Sequence, residues 1–185
     1  MKTALVLVDI QNDYFPGGKM ELEGSVEAGL KAQELIAYFR SAQLRVVYIQ
    51  HLSARPGATF FLPGTSGAAI HPSVAPLEGE MVFQKNYPNS FRDTPLLEFL
   101  KGAQVGRLII AGMMTHMCID ATTRAAFDNG FPCWVASDAC ATRALTFQER
   151  TISAKDVHAS FLAALNGIYA QVLKADEIIG QLRRA

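Results

Sequence analysis

The sequence is poor in the residues that build covalent or metal frameworks. Its 185 residues include only three cysteines, four histidines and one tryptophan. Cys118, Cys133 and Cys140 form no paired framework, and an odd count without a secretion signal points to reduced thiols. Charge of one sign is also missing: Lys+Arg and Asp+Glu both number 17. A balanced chain carries no electrostatic footprint for nucleic acid or an anionic membrane, and the Arg183-Arg184 pair reads as a solvated tail. No segment approaches the ~18 apolar residues of a membrane span. The opening MKTALVLVDI begins like a signal peptide, but Asp9 interrupts it early and no small-residue cleavage site follows. A cytoplasmic protein is expected. Internal repeats and low-complexity segments are absent.

What remains is an ordinary compact composition, 50% hydrophobic and 18% charged, which argues against disorder and fits one domain over residues 1–185. Continuous apolar runs at 3–8, 44–49, 81–84, 108–111, 131–136 and 168–173 read as buried strands of a parallel sheet. Helical patterns lie between them. Ala28, Ala32, Leu35, Ile36 and Phe39 give one apolar face over 25–43. Thr94 and Pro95 open a second helix that Gly102 stops. A third follows Cys118, with Ile119, Thr122, Thr123, Ala126 and Phe127 on one face and Gly130 as its stop. Thr146 to Glu149 reads as a capping box for a helix continuing through Val157, Phe161, Ala164 and Leu165, and 176–182 is the last helix. The alternation is βαβ, an α/β fold. Only the segment 50–80 breaks the rhythm. It is rich in Pro and Gly yet carries Phe60 and Phe61, and loops of that length usually serve as lids or binding loops.

In open parallel sheets, ligands bind beyond the carboxyl ends of the strands. Asp9, Lys85 and Cys118 each stand at or just past such an end. A carboxylate, an ammonium and a thiol converging on one rim make a nucleophilic site. Cys118 falls where Gly112 interrupts a strand and a helix begins, and unpaired first-turn N–H groups there are expected to push the thiol toward thiolate. Lowering its pKa by ~2 units would take about 2.7 kcal/mol of differential stabilisation.

These residues resemble the isochorismatase-like cysteine hydrolases, a family that includes nicotinamidases and N-carbamoylsarcosine amidases. The likeness runs over nearly the whole chain. It is carried by Leu7-Val8-Asp9-Ile10-Gln11-Asn12-Asp13, Pro63-Gly64-Thr65, Lys85 with Ser90-Phe91, and Gly112-Met113-Met114-Thr115-His116-Met117-Cys118. The resemblance implies a three-layer sandwich with a six-stranded, mostly parallel sheet flanked by helices. It implies a triad of Asp9, Lys85 and Cys118, a cis peptide between Met113 and Met114, and an oxyanion hole from the N–H groups of Met114 and Cys118. It further implies a small-molecule substrate and a homodimer or larger homo-oligomer. Nicotinamidases hold a metal through an Asp-x-His pair; the corresponding Tyr48-Ile49-Gln50-His51 lacks it, and the four histidines show no ligand spacing, so no metal or other cofactor is expected. Isochorismatases proper cleave a vinyl ether without this cysteine, whose presence favours amide, carbamoyl or imide C–N bonds and a Cys118 thioester.

Phe15, Tyr87, Phe91 and His116 flank the three reactive residues and are the expected substrate contacts; core packing is the alternative for each aromatic. Two other readings compete. A thiol redox or peroxide-sensing protein would use Cys118 as an exposed low-pKa thiol, but no Cys-x-x-Cys pair supports it. A binding protein with a retired site would have no need of all three reactive residues.

Overall fold

The computed structural model describes residues 1–184. The first strand, β1 (Thr3–Val8), is buried along its whole length. Its continuous apolar sequence requires cover on both faces. Leu5 and Leu7 pack on one side with Ala32, Leu35, Ile36 and Phe39 of α1 (Ser25–Ser41). Ala4, Val6 and Val8 pack on the other with Leu96 and Leu100 of α2 (Leu96–Gly102). Two separate cores on either face of one sheet make three layers.

The sheet also contains β2 (Arg45–His51), β3 (Met81–Lys85), β4 (Arg107–Met113) and β5 (Cys133–Ala141), and helix α3 (Asp120–Asp128) connects the last two. The chain ends with a two-stranded hairpin of β6 (Leu145–Phe147) and β7 (Arg150–Ile152), then α4 (Ala154–Leu165), β8 (Gln171–Leu173) and α5 (Ala175–Leu182). Strand order is β3-β2-β1-β4-β5-β8, and every neighbouring pair is parallel. The order reverses direction at β1 and β4. That is the switch point where a crevice opens beyond the carboxyl ends.

Four local expectations are corrected. Gly112 does not end its strand: β4 runs on to Met113, pairing Gly112 with Val8 on one side and Cys140 on the other. Its φ of 132° and missing side chain permit this, because a Cβ there would collide with the Val8 carbonyl. The strand expected at 131–136 begins at Cys133 and extends to Ala141 through a register shift opposite β4. The capping box at 146–149 does not form. Thr146 faces Thr151 across the β6–β7 hairpin, and the turn passes through Gln148 at φ 53°. The cap is instead Ser153, whose hydroxyl accepts the Asp156 N–H at 3.1 Å. Finally, Phe127 lies at the margin of the α3 apolar face, 42% exposed, and packs edge-on against Tyr169.

Among the described residues, no helix is long and apolar enough to cross a membrane.

Candidate active site

Strands β1, β3 and β4 deliver the reactive residues to one place, with β2 between β3 and β1. Asp9 follows Val8 at the end of β1, with φ 53°. Carboxylate side chains tolerate that left-handed conformation better than most, and the Asp9 N–H is held by the Ile49 carbonyl at 3.0 Å. Lys85 is the last residue of β3, in register with His51 at the end of β2. Cys118 follows β4 in a turn of π-helix, Thr115–Ile119, which precedes α3. It therefore stands two residues before the first residue of α3, and the peptide between Met113 and Met114 is cis.

The Lys85 ammonium is the centre of this arrangement. Nζ lies 2.7 Å from Asp9 Oδ2, 3.3 Å from Cys118 Sγ, 3.0 Å from His51 Nδ1 and 3.0 Å from the Tyr87 carbonyl oxygen. Asp9 and Lys85 side chains are both fully buried. Burial alone would lower the Lys85 pKa, but the Asp9 carboxylate and the contact with Cys118 Sγ outweigh it and hold the ammonium above its ordinary value. The contact between Lys85 and Asp9 Oδ2 is an ion pair rather than a directional hydrogen bond, and among the described residues Asp9 Oδ1 has no hydrogen-bond partner. A buried carboxylate oxygen without a donor is an acceptor held ready.

The expected thiolate is overturned. Burial pushes the Cys118 thiol well above its ordinary range, and the neighbouring Asp9 carboxylate pushes further in the same direction, outweighing Lys85. The physical reason is charge balance. One ammonium already neutralises one carboxylate in a space that excludes water, so a second anion has no counter-charge. The resting pair is a neutral thiol beside a carboxylate.

His51 was read from the sequence only as an isolated histidine, yet it touches the centre. Burial lowers its pKa, leaving the ring neutral and able to accept from Lys85. The only signal for it was its place at the end of a β-strand on this rim. Asp9, His51 and Cys118 offer ligand atoms within 4.8 Å of one another. However, the Lys85 ammonium stands among those atoms, where a cation bound by them would sit. The donor set does not fit a metal while Lys85 is charged.

The residues around Asp9 also organise the long loop. Gln11 donates to the carbonyls of His51 and Ala68 and accepts the His51 N–H, at 2.9, 2.8 and 2.7 Å. Asn12 donates to the Ser66 carbonyl at 2.8 Å. Asp13 is buried and accepts the N–H of Phe61 at 2.7 Å and that of Lys19 at 3.2 Å. Phe61 is thereby held at φ 55° and fully buried, with its ring 4.5 Å from that of Tyr14.

The result is a cavity of about 140 Å³ that reaches Cys118, walled by Tyr14, His51, Phe60, Phe61, Tyr87, Met114 and Met117, with Ser53, Arg55, Asn86 and Pro88 completing it. Tyr87 is the one expected substrate contact on this wall. Phe15 instead stacks on His71 and packs against Gly29 of α1. Phe91 stacks on Phe131, 6.4 Å between ring centres, in the opposite core. His116 turns to Thr142 and the edge of Phe161. Phe15 and Phe91 follow a reactive residue in sequence and His116 precedes one, but none of the three lines the cavity. Tyr14, Phe60 and Phe61 take those places.

Comparison with known proteins agrees with this architecture. An uncharacterized isochorismatase family protein, YddQ of Bacillus subtilis, is 48% identical over 172 residues, covering 93% of this chain and 96% of its own. A crystal structure of an isochorismatase hydrolase from Oleispira antarctica is 51% identical, superposes with a TM-score of 0.94, and covers 97% of this chain and 96% of its own. A maleamate amidohydrolase of Pseudomonas putida is 27% identical, covering 98% of this chain and 87% of its own. The isochorismatase domain model matches residues 3–168, which contain all three reactive residues, and the chain belongs to the isochorismatase family of hydrolases.

Proposed function

We propose that this protein hydrolyses a C–N bond of a small amide, carbamoyl or imide compound, with Cys118 as nucleophile, Asp9 as general base and acid, and Lys85 as the fixed counter-charge. The observation that carries the reading is the Lys85 ammonium, 2.7 Å from the Asp9 carboxylate and 3.3 Å from the sulfur of Cys118, which itself lines the cavity.

The neutral resting thiol sets the order of events. Asp9 takes the S–H proton as sulfur attacks the carbonyl carbon, so the thiolate never stands alone in the cavity. The negative charge passes to the carbonyl oxygen, which the N–H groups of Met114 and Cys118 are suited to receive. Protonated Asp9 then gives its proton to the leaving nitrogen as the C–N bond breaks, leaving a thioester on Cys118. Water, deprotonated by Asp9, attacks the thioester carbon; the S–C bond breaks and sulfur recovers a proton from Asp9. Lys85 keeps its charge throughout and holds Asp9 in place. His51, neutral, accepts from Lys85 and fixes its direction. No step passes through a metal.

A thiol that burial drives upward is poorly suited to peroxide sensing, which needs an accessible thiolate. The amidohydrolase and nicotinamidase/pyrazinamidase activities named for relatives support C–N chemistry. The test is intact-protein mass spectrometry after exposure to a panel of amides, ureides and carbamoyl compounds. An acyl adduct mapped to Cys118 is expected, and Cys118→Ala is expected to fold normally with turnover reduced on the order of 10⁴-fold or more. Full turnover in that variant overturns the reading.

A further inference from the structure

The turn that carries Cys118 is fastened from outside itself. The Met114 carbonyl accepts the N–H groups of both Met117 and Ile119, at 3.0 and 3.2 Å, which closes one wide turn, and no side chain caps its start. A lone turn of this kind fixes several residues for very few hydrogen bonds. Its first two residues are tied to neighbouring elements instead. Thr115 is fully buried, and its hydroxyl lies 3.2 Å from the Ala141 carbonyl at the end of β5 and 2.9 Å from His158 Nδ1 of α4. His116 Nδ1 meets the hydroxyl of Thr142, one residue past β5. The His116 ring lies edge-on to Phe161, three residues on from His158 and so on the same face of α4.

Thr115 and His158 do not line the cavity that reaches Cys118. Packing alone does not call for a histidine here either: the neighbouring α4 residues Val157, Leu162 and Leu165 are buried and apolar. What the polar contact supplies is position. Thr115 stands directly after Met114 and three residues before Cys118. Either atom of the pair can give the proton, and the hydroxyl oxygen can donate to one partner while accepting from another. The contact therefore links β5, the turn and α4 in one chain of polar groups. A displacement of about 1 Å at a reacting atom can cost on the order of 10²-fold in rate, so a turn without its own cap needs such a link.

We propose that Thr115 and His158 are positioning residues: their contact holds the Met114–Cys118 segment so that the Cys118 sulfur stays beside Asp9 and Lys85. The proposal rests on the hydrolase reading for its purpose, but its test needs no turnover. The probe is iodoacetamide at pH 8, well below the melting temperature, read at Cys118 by peptide mass spectrometry; sulfur displaces iodide and its proton goes to the buffer. A sulfur released from the buried place beside Asp9 returns toward an ordinary thiol, with more thiolate and faster labelling. Thr115→Val and His158→Phe are each expected to label Cys118 about tenfold faster than wild type, the effect of roughly one pKa unit. Thr115→Ser and His158→Asn, which keep a polar atom at the contact, are expected to label at the wild-type rate. The Val/Phe double variant is expected to be no faster than the faster single one, because both remove the same contact. Leu165→Ala, at the far end of α4, is the control for general loosening: it is expected to lower the melting temperature and leave labelling unchanged. Wild-type labelling in both Thr115→Val and His158→Phe overturns the proposal, as does equal acceleration in Leu165→Ala. The expected labelling pattern, with no acyl adduct from the amide panel on the wild-type protein, overturns the hydrolase reading and leaves the positioning contact standing.

Discussion

At the residue scale, the decisive feature is a lysine buried with a single full counter-charge. Removing one member of such a pair strands the other, whereas replacing both with uncharged residues of similar shape is often neutral or better. Lys85→Met is therefore expected to cost about 3–5 kcal/mol of stability. Asp9→Asn combined with Lys85→Met is expected to regain most of that loss while remaining inactive. Denaturant melts of the two variants check this; a double variant no more stable than the single would show that the pair is not what burial demands. Cys118 gives a second residue-scale expectation. Because its pKa is raised, the thiolate appears only well above neutrality. Alkylation by iodoacetamide at pH 7 is expected to be slower than for a free cysteine and to climb with pH. The buried Cys133 thiol, pushed up to about 12 by burial, serves as an internal comparison. Rapid labelling of Cys118 at pH 7 would contradict the neutral resting thiol.

At the element scale, the site depends on close approaches that only glycine allows. Gly112 brings β4 against β1 beside Asp9. Gly67 does the same for the long loop: a Cβ there would fall on the Asp13 carboxylate, which holds Phe61 in its left-handed conformation. Gly67→Ala is expected to displace that carboxylate, free Phe61 and loosen the cavity wall. A stability loss of about 1–3 kcal/mol is the usual scale for such overpacking, accompanied by a larger rise in KM than fall in kcat. Thermal melts and steady-state kinetics on one substrate check both. A variant with normal KM would separate the Asp13 clamp from substrate binding. The acidic and amide residues just after β1 are thus loop anchors as much as neighbours of Asp9. Gln11, Asn12 and Asp13 together take up backbone groups of the 51–68 region.

At the scale of the whole molecule, all four histidines are partly buried, and burial is the main cause that lowers the pKa of each. The folded protein then binds protons less readily than the unfolded chain, whose histidines titrate near the ordinary 6.5. The associated stability is fully present above that pH and is lost as pH falls through the lowered folded values. The melting temperature is expected to be nearly level from pH 8 to 7 and to decline below about 6.5, before the carboxylates titrate. A melting temperature that stays level down to pH 5 would contradict this. The same buried, neutral His51 predicts that activity falls on the acid side, since its protonation sets a second cation against Lys85.

Much of this was legible in the sequence because it depends on local pattern. A continuous apolar strand must be covered on both faces, and six of them alternating with helices leave little choice but a parallel sheet with helices on each side. Residues just past such strands must surface at one rim, so the meeting of Asp9, Lys85 and Cys118 follows from where each strand ends. The tertiary structure decided what no single segment contains. The length of β5 came from its pairing with β4, and the hairpin at 145–152 came from cross-strand contacts that compete with a local helix signal. Pocket walls came from side chains that are distant in sequence, which is why Tyr14, Phe60 and Phe61 hold the places given by proximity to Phe15, Phe91 and His116. The upward direction of the Cys118 pKa has the same kind of origin. A helix-start argument considers one element, whereas the thiol answers to burial and to the carboxylate and ammonium that two other strands bring within reach.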